Sequence, residues 1–186
     1  ILASGQIVEF NRDSSYWLDV EAFSQRVNEV MRQRSSEAAR RQGDSLPHQF
    51  VTSLTEAVRL YRGDFLEGFY VRGAPAFEEW MLAERERLRQ MALQVLHYLV
   101  RHHAARGEYA AGIEYATRLL AMDPWREEAH RELMRLLALA GQRSAALAQY
   151  EECRRLLQTE LGLEPLEETT ALYEHCLLYT SPSPRD

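Results

Sequence analysis

The residues most able to do chemistry are three histidines close together, His97, His102 and His103. On a helix, positions 97 and 102 lie about 140° apart and positions 102 and 103 about 100° apart. A zinc site wants i,i+4 pairs and further ligands on the same side. The spacing therefore predicts helix-surface or groove histidines and no metal. His48, His130 and His175 stand alone. Asp64 lies between glycines, and Glu78-Glu79 and Glu127-Glu128 are paired acids. An acid–base dyad needs two carboxyl groups facing one cleft, which helical neighbours do not do. These acids read as charge favourable to helix N-termini. Gly63 and Gly68 have neither the spacing nor the lysine of a phosphate loop. Cys153 reads as a buried, inert thiol. It and Cys176 show no ligand spacing, which suits a reduced, cytoplasmic setting. No catalytic, metal or cofactor-binding constellation emerges, so the expectation is a protein that is not an enzyme.

The elements that carry these residues have a recurrence. Gly107-Glu108-Tyr109-Ala110-Ala111-Gly112-Ile113 returns 34 residues later as Gly141-Gln142-Arg143-Ser144-Ala145-Ala146-Leu147. That is the period of the tetratricopeptide helix pair. Gly107 and Gly141 are predicted to make equivalent turns. Gly112 and Ala146 are predicted to let the preceding helix of each pair approach closely. Pro124 falls where one helix ends and the next begins. Repeats of this kind bury one face against neighbours and offer another to a partner.

Helical periodicity extends over most of the chain. Val20, Phe23, Val27, Val30 and Met31 share a face, with Asp19 as N-cap. Residues 32–46 read as a polar loop whose arginines, Arg32, Arg34, Arg40 and Arg41, are solvated. Pro47 opens a helix lined by Phe50, Leu54, Ala57, Val58 and Tyr61. Arg62 to Phe69 breaks it with two glycines. A long helix is predicted over 76–106, with Phe77, Trp80, Met81, Leu88, Met91, Val95, Tyr98 and Leu99 as its stripe and Glu86–Arg89 as an i,i+3 pair. Further helices are predicted at 108–122, 125–140, 143–161 and 165–178, antiparallel to one another because their connections are short. Ile113, Ala116, Leu119 and Leu120 should face Leu133, Leu136, Leu137 and Leu139. Trp80 and Trp125 are expected to pack as structural anchors between helices, with a role as binding anchors the alternative.

Both ends read differently. Gln6–Phe10 and Tyr16–Val20 flank the turn-forming Asn11–Ser15 and suggest a β-hairpin. An isolated hairpin is marginal in water, so the rest of a sheet is expected to lie upstream. The first residue is Ile1, which fits a natural start further upstream. Residues 177–186, with Ser181-Pro182-Ser183-Pro184, read as a tail foreign to the fold.

The chain is 46% hydrophobic and 27% charged, which suits a packed core and not a disordered tail. No apolar run approaches the roughly 18–20 residues that span a bilayer. All 22 basic residues are arginine, yet the net charge is −6. That balance disfavours this segment as a principal DNA-binding surface, because phosphate binding leans on positive charge.

Several stretches together resemble one family. They are Tyr16–Val20 with Phe23, Tyr61–Leu66, Phe77–Trp80, Pro124–Met134, Gly141–Tyr150 and Glu160–Pro165. This pattern resembles the bacterial transcriptional activator domain of the SARP/AfsR-like regulators. The resemblance implies a mainly α fold, a tetratricopeptide-like antiparallel stack over residues 21–176. Residues 1–20 would be a remnant β-hairpin that ends a winged helix-turn-helix domain. It implies DNA binding only through that upstream domain, and no membrane. The protein partner would be the chain's own winged domain, a second protomer in a homodimer, or RNA polymerase. The competing reading is a tetratricopeptide-type peptide-binding scaffold unrelated to transcription.

Overall fold

The structure, a computed structural model, describes residues 2–4, 7–9, 13–38 and 48–178. The expectations that fall on Asn11-Arg12, on Arg40, Arg41 and Pro47, and on residues 179–186 lie outside them. Two three-residue strands, β1 (Leu2–Ser4) and β2 (Ile7–Glu9), pair antiparallel with Ala3 opposite Val8. The predicted second strand is not formed. Tyr16 to Leu18 lack regular structure, and Val20 is already inside a helix. Their aromatic and β-branched character reflects the entry to that helix and not sheet pairing.

Seven α-helices follow among the described residues: α1 (Asp19–Ala38), α2 (His48–Leu60), α3 (Pro75–Ala105), α4 (Tyr109–Met122), α5 (Glu127–Leu139), α6 (Arg143–Leu156) and α7 (Glu167–Leu178). One π-turn, Leu157–Leu161, prolongs α6. The first helix runs through residues 32–38, which the sequence suggested were loop. Arg32 is exposed there and pairs with Glu29 at i,i+3. Helices α5 and α7 begin two residues later than predicted, because Trp125-Arg126 and Pro165-Leu166 belong to the turns before them.

Burial explains the layering. Phe23, Val27 and Val30 of α1 meet Phe50, Val51, Leu54, Ala57 and Val58 of α2 over one face of α3. The C-terminal part of α3 contributes Val100 to a second cluster with Ala116 of α4, Leu133, Leu136 and Leu137 of α5, Ala146 of α6 and Cys176 of α7. Complete burial of an aliphatic side chain contributes about 1.5–3 kcal/mol. Leu54, Leu96, Leu99 and Leu136 have no exposed surface, so each gains the full amount. Leu139 departs from its predicted place and is exposed, because it lies in the last residue of α5 where the chain turns away.

The two glycine turns share one geometry. Gly107 and Gly141 have φ of 72° and 76°. In each turn the following residue donates back across five positions, Glu108 N–H to His103 O at 2.9 Å and Gln142 N–H to Leu137 O at 2.8 Å. Left-handed φ at a helix C-terminus favours glycine. Gly112 and Ala146 are both buried. The nearest neighbour of Gly112 lies on the following helix: a Cβ there would lie 3.1 Å from a Leu136 methyl of α5. The close approach thus joins one helix pair to the next.

Candidate protein-interaction site

The segment between α2 and α3 carries the most unusual surface. After Leu60 the chain leaves the helix, and Leu66 takes a left-handed φ of 51°. A leucine seldom adopts that conformation, and such residues persist only where surroundings hold them. Two arginines hold this loop. Arg85 of α3 donates from Nε to Phe65 O and from Nη2 to Leu66 O, both at 2.5 Å. Arg118 of α4 donates from Nη2 to Val58 O at 2.7 Å and to Tyr61 O. Within the loop the Tyr61 hydroxyl donates to Asp64 Oδ1 at 3.3 Å. Burial first, and the Asp64 charge second, push the Tyr61 phenol up to about 12, so it stays a donor.

An aromatic chain runs along this loop and the first turns of α3. Phe65 meets Trp80 edge-on with ring centres 5.6 Å apart, Trp80 meets Phe77 at 5.6 Å, and Phe77 meets Phe69 at 5.9 Å. Trp80 is nevertheless 52% exposed, Phe69 50% and Tyr70 68%. Trp125, at the α4–α5 turn, is 48% exposed. The expectation of core packing for both tryptophans therefore fails. The helical stripe of α3 is read correctly, but its first turns project beyond the neighbours that would cover them. Contiguous exposed aromatic surface marks an interaction site more often than chance.

A cavity of about 400 Å³ adjoins this face, lined by Asp19, Val20, Phe23, Tyr61, Asp64 and Glu67 among others. Because Asp19 and Val20 are the first residues of α1, the chain enters the helical region beside the aromatic face. Trp17 and Leu18, immediately before, are 65% and 43% exposed. A second depression of about 420 Å³ lies between α3 and the start of α5, lined by Gln90, Gln94, His97, Tyr98, Arg126 and Glu128.

The other singled-out residues serve structure. His97 lines the second depression, whereas His103 stacks on Tyr115 at 5.4 Å and its Nδ1 lies 2.6 Å from Glu108 Oε2. Among the described residues no three metal-ligating side chains come together. Glu127 does more than charge a helix end: its Oε1 accepts from Leu166 N–H at 2.7 Å and Thr169 Oγ1 at 2.5 Å, and so caps α7. Cys153 has no exposed surface, and burial pushes its thiol up to about 12. Pro124 lies in the α4–α5 turn, where its carbonyl accepts from His130 Nε2 at 2.8 Å. His130 Nδ1 then accepts from Gln149 Nε2 at 2.6 Å. Burial lowers the His130 pKa from its ordinary value.

Sequence reasoning missed His130, Arg85 and Arg118. An isolated histidine and single arginines in amphipathic helices carry no local signal of a partner 19 to 60 positions away. Among the described residues no helix is long and apolar enough to cross a membrane.

Comparison with known proteins adds the lineage. Residues 18–177 match the bacterial transcriptional activator domain. The regulatory protein AfsR of Streptomyces griseus is 32% identical over 146 residues, 76% of this chain and 14% of that protein. AfsR of Streptomyces coelicolor is 34% identical over 102 residues, 55% of this chain and 10% of that protein. The chain thus spans only a small fraction of these curated relatives. In fold it is similar to the C-terminal tetratricopeptide-containing domain of a Plasmodium falciparum FK506-binding protein, with a TM-score of 0.52 at 12% identity, covering 86% of this chain and 88% of that one.

Proposed function

This chain belongs to the bacterial transcriptional activator domain family, and from that premise we propose that it is the regulatory, protein-interaction part of a DNA-binding transcriptional regulator. Residues 1–20 are assigned to the end of a winged DNA-binding domain, residues 21–176 to the helical domain, and residues 177–186 to a tail outside both. The helical domain acts by position and catalyses nothing. It holds the winged domain, and through it a second protomer or RNA polymerase, in a productive arrangement on the promoter.

One observation carries this reading. The aromatic chain Phe65–Trp80–Phe77–Phe69, with Trp80 and Phe69 exposed, lies beside the point where the chain enters α1. A unit attached ahead of Trp17 meets that face at high effective concentration, since the tether between them is short. The test compares this chain with its parent protein on specific and scrambled duplexes at physiological salt. The parent should discriminate, because base readout needs a helix in the major groove. This chain alone should bind weakly and without preference, given its charge of −6. Discrimination by this chain alone would overturn the division of labour. Failure of the parent to discriminate would favour the peptide-binding scaffold, with the depression between α3 and α5 as the place to test for peptide binding.

A further inference from the structure

We propose that Arg118 is a positioning residue for the aromatic face: its guanidinium ties the end of α2 to the first helix pair and so sets the course of the loop that carries the face. The importance of that face rests on the docking reading above. The geometry of the tie does not.

Helix α2 ends at Leu60, so its last carbonyls have no partner further along the helix. Val58 O is one of them, and Tyr61 O follows it out of the helix. Arg118 Nη2 serves both. A cation at this end also complements the helix dipole. The reach is long: no Cα of α2 comes within 8 Å of a Cα of α4, so the side chain bridges two helices whose backbones do not touch. The planar guanidinium holds its donors in a fixed fork, and the two N–H of Nη2 reach both carbonyls at that distance.

The loop is then fixed at two places by different elements. Arg85 fixes Phe65 and Leu66 to α3, and α3 itself carries Phe77 and Trp80. Arg85 therefore holds the face to its own helix. Arg118 brings in the position of α4. A third arginine, Arg89 of α3, donates from Nη2 to Met122 O at 2.7 Å and secures the far end of α4. Any shift of α4 against α3 is handed through Arg118 to Tyr61, thence to Asp64 and the left-handed Leu66. Arg118 in this way adds a polar tie to the apolar packing that joins α4 to the end of α2 and the loop.

Two tryptophans report on the proposal, because Trp80 lies on the face and Trp125 in the stack. In R118A the indole N–H resonance of Trp80 should move while that of Trp125 stays. Amide exchange at Glu67 and Phe69, which donate to Asp64 O and Leu66 O, should rise about ten-fold relative to the amides of α5 and α6. R118K, with one compact charge in place of a fork, should fall between R118A and the unaltered chain. An unmoved Trp80, or equal changes at Trp80 and Trp125 and in all helices, would overturn the proposal, the second by showing a general loss of stability. Should R118A fail to fold, R118K decides by the same two readings. A parallel measurement of binding to the parent's DNA-binding domain separates the two claims. If the unaltered chain does not bind it, the docking reading falls while the Trp80 result still decides the role of Arg118.

Discussion

In the repeat stack, a Cβ on Gly112 would press to 3.1 Å on a Leu136 methyl, and Ala146 has no surface in solvent. Around Trp80 the same chain leaves half of a tryptophan exposed, holds a left-handed leucine with Arg85 of α3, and ties the start of its loop with Arg118 of α4. The stack gains its order from small residues and burial, which tolerate no change of volume. The face gains its order from long polar side chains that reach backbone carbonyls and leave apolar surface uncovered. The difference teaches where each region is vulnerable. The stack fails by cavities and overpacking, and the face fails by losing its tethers.

The largest effect should come from emptying the stack. Leu136→Ala removes a side chain with no exposed surface that touches both Gly112 and the second cluster, and should cost about 2–5 kcal/mol. Denaturant melts measure it, and a loss below about 1 kcal/mol would show that the stack is looser than its burial implies. Next comes Ala146→Leu, which overpacks the second cluster around a fully buried alanine and should cost about 1–3 kcal/mol. A variant melting like the parent would break the comparison at its firmer side.

The pH response is smaller and sharpens the contrast within the stack. His130 is buried with both ring nitrogens engaged, and its folded pKa lies below the ordinary value of 6.5. Burial does this against the opposing pull of the Pro124 carbonyl and then of Glu152 and Glu127. The unfolded chain therefore takes up the proton first as pH falls. Stability from this group is complete above about 6.5 and declines below it until the folded form also protonates. Thermal melts from pH 8 to 5 should show that decline, and His130→Gln should flatten it. The lowered carboxylates Glu84, Glu108 and Glu152 act only at lower pH.

The smallest effect on stability belongs to the face. Trp80→Ser should change unfolding free energy by about 1 kcal/mol or less, since half the ring already meets water. The same change should weaken binding of the parent's DNA-binding domain about ten-fold or more, as loss of a central aromatic anchor does. A calorimetric titration in which binding survives would move the docking site elsewhere.

The contrast also explains what could be read beforehand. The stack was legible because its information is periodic: Gly107 and Gly141 recur at 34 residues, and the buried positions of α2 and α3 follow the helical stripe. The direction of Gly112 was not, because a period says that a small residue packs closely but not against which neighbour. Trp80 was misplaced for a related reason. A stripe gives the face of a helix and not how far along it the neighbours extend. The arginine tethers left no trace, since Arg85 and Arg118 resemble the many solvated arginines of the chain. The early strand was misread because Tyr16 to Val20 has strand-like composition while Asp19 starts a helix.

The equivalence of the Gly107 and Gly141 turns has a consequence for growth. Each turn delivers the chain into its next helix with the same hydrogen-bonded step, so the stretch from 107 to 140 begins and ends on interchangeable joints. A lineage could lengthen or shorten such a domain by whole cassettes without reshaping what lies ahead of α3. A chain in which residues 107–140 are duplicated should accordingly keep its helical signal per residue and melt in one transition, whereas a duplication offset by five residues should not. Length would then be the most easily inherited variable of this architecture.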